Sequence, residues 1–61
     1  MKTLKTFKRY VVVSLSDRDK EQHNVDSDFA CILKDEMEFP ASLREIDMEC
    51  CSLQEAINFI G

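Results

Sequence analysis

The fifteen residues from Ile46 to Ile60, IDMECCSLQEAINFI, constrain the fold more than any other stretch, because they hold the densest regular apolar pattern in the chain. Two structures compete for them. In one, Ile46, Met48 and Cys50 alternate with Asp47 and Glu49, the period-two pattern of a half-buried strand. Ser52 then opens a separate helix, with Glu55 three residues on to complete a capping box. In the other, a single helix runs from Ser42 to Ile60 behind a capping box of Ser42 and Glu45. Leu43, Ile46, Cys50, Leu53, Ile57 and Ile60 then fall at spacings of three and four, a heptad-like stripe. Asp47, Cys50, Cys51 and Ser52 are indifferent helix formers for the middle of such a helix, and a second cap signal there is out of place. Strand followed by helix is therefore preferred.

Upstream, Phe7 to Leu15, FKRYVVVSL, is rich in β-branched and aromatic residues. It predicts a strand with Phe7, Val11, Val13 and Leu15 on one face and Tyr10 and Val12 on the other. Residues 1–6 are expected to be a loose or partly paired leader. Ser16 to Asn24, SDRDKEQHN, contains no hydrophobic residue and is expected to be a solvated loop or the tip of a long hairpin. Val25 to Phe39 fits two structures equally. As a strand it places Val25, Phe29, Cys31 and Leu33 on one face and pairs antiparallel with the first strand. As a helix it is capped by Ser27, buries Phe29, Ile32, Leu33 and Met37, and is stopped by Pro40.

The expected fold is α+β: a small antiparallel sheet of two or three strands with a C-terminal helix packed on one face. The alternative is one N-terminal strand with two helices. Sixty-one residues suffice for a single small domain, which buries only about 60% of its unfolded surface and is correspondingly marginal. An apolar content of 44% argues against disorder, which needs low hydrophobicity with high net charge. No run approaches the roughly eighteen apolar residues of a membrane span, and Tyr10 to Leu15 is far too short. A cytoplasmic protein is expected. Cys31, Cys50 and Cys51 are an odd number of cysteines with two adjacent, usage that suits thiols packed as small hydrophobes in a reducing compartment.

Charge is segregated along the chain. Lys2, Lys5, Lys8 and Arg9 give the first ten residues a charge of +4, while the whole chain carries −4. Asp26, Asp28, Asp35, Glu36, Glu38, Glu45, Asp47 and Glu49 fall within one acidic span in which only Lys34 and Arg44 offset them. Such a body is repelled by nucleic acid and anionic membrane and attracted to basic protein surfaces. Asp35, Glu36, Glu38, Glu45, Asp47 and Glu49 are the candidate partner-binding residues. The leader, KTFKRY, has the composition of a nucleic-acid contact, but cations flanking an edge strand account for it in so acidic a chain.

Other chemistry finds little footing. The only glycine is Gly61, which excludes a phosphate-cradling loop. His23, Cys31, Cys50 and Cys51 are the only soft metal ligands, without a C-x-x-C or H-x-x-x-H pair to pre-arrange two of them. Cys50 is expected in the core and Cys51 nearer the surface. His23 lies in a polar segment with no nucleophile and carboxylate set around it, so neither catalysis nor a cofactor is expected. Ser52 to Ile57, SLQEAI, looks like the helix entry of many small α+β proteins, the HicB-type antitoxins among them. That likeness spans six residues, and no function or residue is carried over from it.

The sequence is best read as a small acidic, non-enzymatic regulatory or inhibitory protein. It would bind a basic surface of a host protein, as a phage- or mobile-element-encoded inhibitor or nucleic-acid mimic does. The alternative is a structural subunit that forms a homodimer or larger homo-oligomer through the stripe from Leu43 to Ile60.

Overall fold

The computed structural model describes all 61 residues, and in it the chain changes form at Ser52. Met48–Cys50 is a strand (β4) and Leu53–Ile60 a helix (α2), with Ser52 extended between them. The Ser52 hydroxyl accepts the Glu55 N–H at 3.1 Å, satisfying one of the helix's unpaired amides. The Glu55 carboxylate accepts from the Cys51 N–H at 3.2 Å, one residue earlier than a reciprocal capping box requires. A continuous helix from Ser42 to Ile60 is not formed. Ala41–Leu43 is a short 3-10 turn, and the Glu45 amide donates to Glu36 Oε1 at 2.9 Å instead of entering a helix. The heptad-like stripe is therefore broken, and Leu43 stands 69% exposed.

The remaining strands are β1 (Lys2–Thr6), β2 (Tyr10–Ser14) and β3 (Phe29–Leu33). They form a sheet in the order β1-β2-β3-β4 with every neighbour antiparallel. The sheet thus has four strands where two or three were expected. β1 is the addition: residues 1–6, read as a loose or partly paired leader, pair with β2 through a register shift at Leu4. Every residue of β1 is exposed, so it carries no apolar alternation by which to be recognised. β3 resolves the ambiguity of Val25 to Phe39 in favour of a strand, followed by a 3-10 turn over Lys34–Glu38. Val13 pairs with Ala30 and Val11 with Ile32, which fixes the register of the central pair.

Because side chains alternate along each strand, β2 and β3 divide their apolar residues between two faces. On one face Val12, Cys31 and Cys50 are fully buried beneath Ala56 of α2, with Phe7, Tyr10, Phe29 and Ile60 packed around them. Phe7 belongs here and not with Val11 and Val13, because it precedes the strand and turns with the hairpin. Its Lys5 neighbour lies over the ring at 5.3 Å. Leu53, a position of the apolar stripe, is 40% exposed. Ala56 packs on the sheet instead, and its small side chain brings the helix close. Phe59 meets Tyr10 edge to face, with ring centroids 5.7 Å apart.

The other face buries Val11, Val13, Leu15, Ala30 and Ile32 under Met1, Val25, Met37 and Ile46, residues from four separate segments. Burying a side chain of the size of Ile32 contributes about 1.5–3 kcal/mol. Between β2 and β3 lies a second helix, α1 (Asp17–His23), in the segment expected to be a loop. Its capping is complete: the Asp19 N–H donates to Ser16 Oγ at 3.2 Å and the Ser16 N–H donates to Asp19 Oδ2 at 3.0 Å. Asn24 ends it in the left-handed conformation, φ 55° and ψ 48°, which asparagine tolerates better than most residues. The same Asp19 oxygen lies 2.9 Å from the Met1 α-amino group, and the Met1 side chain and Asp19 are both buried. The ammonium beside it and the Ser16 bonds hold the Asp19 carboxyl down at about 2, against the opposing effect of its burial.

Candidate functional site

The six candidate carboxylates do not form one site. Asp35, Glu36 and Glu38 lie on the 3-10 turn after β3, and Glu45, Asp47 and Glu49 lie on the strand-like run into and along β4. The second set lines a single open groove of about 550 Å³. One wall of the groove is residues 44–49, and the other is residues 23–25 at the C-terminal end of α1. Pro40 and the second 3-10 turn direct the chain here. Arg44 resumes an extended backbone, φ −73° and ψ 135°, after which the acidic residues follow at every second position. All three are exposed.

Neutralisation is what such a groove would ordinarily receive, and here its basic residues are otherwise engaged. Arg44 Nε donates to the Phe39 carbonyl at 2.8 Å and its guanidinium donates again to the Met37 carbonyl at 3.2 Å. His23 Nε2 donates to the Ala41 carbonyl at 2.9 Å, so the hydrogen sits on that nitrogen. The chain's two ion pairs, Met1 with Asp19 and Lys20 with Asp28, involve none of the groove carboxylates. The Ser27 hydroxyl lies 3.5 Å from Glu49 Oε1, and Asp47 faces the Tyr10 hydroxyl. The groove therefore sets three exposed carboxylates against the guanidinium charge of Arg44. No three acidic, histidine or cysteine side chains converge as a metal would require. The three charges are spread along the wall on either side of the bend at Asp47.

The other candidates are placed differently. Glu36 is half-buried and committed to the Glu45 amide, a structural bond that holds the run approaching β4. Asp35 shares a smaller cleft of about 300 Å³ with Lys8, Arg9 and Lys34, where basic groups predominate. Glu38 is exposed and lines neither cleft. Asp47 also lies within reach of the Tyr10 hydroxyl and, as acceptor for its proton, raises the phenol above its ordinary value, with burial adding to the effect.

The thiols are set apart from this chemistry. Cys31 and Cys50 are buried and Cys51 is exposed. Cys31 and Cys50 Sγ atoms lie 3.9 Å apart, and the Cys31 thiol is directed at the Ala56 carbonyl at 3.6 Å. Burial pushes Cys31 up to about 12, with Cys50 beside it adding to the shift, and burial raises Cys50 as well. Both remain thiols at neutral pH, packed as small hydrophobes.

Sequence reasoning passed over the second wall of the groove, because residues 23–25 gain their position only from α1. The signal was present in Ser16 with Asp19 three residues on, a capping pair followed by Asn24 as a helix stop. No family model matches this chain, and neither a curated protein nor a solved structure matches it. No helix is long and apolar enough to cross a membrane.

Proposed function

We propose that this protein is a non-catalytic binding module that captures a basic region of a partner protein in the groove beside β4. The observation that carries this reading is the row of Glu45, Asp47 and Glu49 along one wall, with the nearby Arg44 and His23 held by backbone carbonyls. Fixed charges of one sign facing a groove attract the opposite sign, speed its encounter and set its orientation. A chain this small acts by occupancy: it covers a basic site on its target and keeps other ligands from it. A regulatory or inhibitory role follows from that mode of action.

A fluorescein-labelled octalysine peptide tests the electrostatic claim. Binding is expected at low ionic strength and should weaken steeply as salt rises past the point where the screening length falls to about 8 Å. The triple substitution Glu45→Gln, Asp47→Asn, Glu49→Gln should weaken it by at least about tenfold, while Asp35→Asn with Glu38→Gln should change it by less than about twofold. Binding that ignores salt, or that follows Asp35 and Glu38 instead, refutes the reading.

A further inference from the structure

We propose that the groove takes its ligand as a fifth strand: an extended basic segment of a partner protein that hydrogen-bonds through its backbone to the open edge of β4. This rests on the reading of the groove as a site for basic partners and adds the mode of recognition. The backbone carries the proposal, and the carboxylates select the sign of the occupant.

β4 has β3 on one side and no strand on the other. None of the backbone bonds outside the helices and the strand ladders engages Met48, Glu49 or Cys50. Alternate amides and carbonyls of a strand point to each side, so the outward set is free to template another chain. The open edge is three residues long, because the chain bends at Asp47, whose amide turns inward to the Cys31 carbonyl at 3.0 Å. Alternation then sorts the side chains of an added strand. Glu49 pairs with Ala30, on the face where Ile46 packs, while Met48 pairs with Cys31 on the face of α2. Ligand residues on the first of these faces would thus meet Glu49, where lysine or arginine fits best. The intervening residues would lie beside Met48, which is 38% exposed and favours an apolar or β-branched neighbour.

The opposite edge offers no such site. β1 carries Lys2 and Lys5 and is bulged at Leu4, two devices that discourage strand addition. Pairing of β4 with β4 of a second copy would set carboxylate against carboxylate, which disfavours self-association through this edge at neutral pH.

An eight-residue peptide of alternating lysine and valine is the probe, with alternating lysine and glycine as a control of equal charge and low strand propensity. The lysine–valine peptide should bind at least about tenfold more tightly. Backbone N-methylation of one alternate set of residues should abolish that binding and of the other set should leave it within about twofold, because only one set faces β4. Amides of residues 48–50 should exchange with solvent more slowly in the complex. Equal affinity for both peptides, or equal tolerance of both methylation patterns, overturns strand addition while leaving the electrostatic reading in place. Absence of binding by either peptide at low salt overturns both. Self-association reversed by the peptide would make a second copy the occupant and likewise overturn the proposal.

Discussion

The two faces of the sheet are covered in different ways. One lies under a single helix whose cap and apolar spacing are local and continuous, and the other under Met1, Val25, Met37 and Ile46, brought in from four segments. The first cover stands or falls as one element. The second is assembled from pieces, and its fixed point is a charge: the Met1 ammonium on the buried Asp19, which also caps α1. A domain too small for a large core has thus closed one side by packing and the other partly by an ion pair, the more fragile device of the two.

The largest test of that contrast is Asp19→Asn. It leaves the Met1 ammonium without its counter-charge and weakens the α1 cap, and it should cost about 2.5 kcal/mol in urea denaturation at pH 7. The pH dependence has a definite sign. The Asp19 carboxyl is held at about 2 in the fold against an ordinary value of 3.8, so its contribution is fully present above roughly pH 4 and disappears as pH falls through 2. Wild type should lose stability over that window, and Asp19→Asn should lose correspondingly less. An equal loss in both would show that the pair does not hold this face.

A smaller effect is expected from overpacking the other side. Ala56→Leu forces the helix away from Val12, Cys31 and Cys50 and should cost about 2 kcal/mol without changing the pH profile between 2 and 4. It should also expose Cys31 and Cys50, so that a thiol reagent which labels Cys51 alone in the native wild type labels all three. If Cys31 and Cys50 stay protected, the helix does not move as a unit. The smallest effect is Ser52→Ala, about 1 kcal/mol from loss of the cap to Glu55, read as a lower denaturation midpoint at an unchanged slope.

The same contrast explains what could be read beforehand. β2, the strand–helix pair at the C-terminus, the Ser52 cap and the burial of Cys50 follow from local periodicity, so they were legible. β3 was legible only as one of two alternatives, since Phe29 to Leu33 has a helical face as well as an extended one, and the choice is made by pairing with β2. β1 was illegible as a full strand because an edge exposed on both sides needs no apolar residues. α1 was hidden for a related reason: polar contacts hold it, including Asp19 to the amine, Lys20 to Asp28 and His23 to Ala41. Of the six candidate carboxylates, Glu45, Asp47 and Glu49 share a groove because they lie together on the run that enters β4. Asp35, Glu36 and Glu38 are near in sequence, but a 3-10 turn spreads them, which charge counting along the chain does not reveal.

The opposite charge of the two sheet edges has a consequence for how the molecule moves before it touches anything. Lys2 and Lys5 stand on β1 and Glu45, Asp47 and Glu49 on or beside β4, separated by three strand spacings, or about 14 Å. That distance exceeds the roughly 8 Å over which physiological salt lets charges sense each other. The molecule, with a longest extent of 27 Å, therefore carries an in-plane dipole whose poles act independently. Within about 8 Å of a positively charged surface such a dipole would turn β4 towards it.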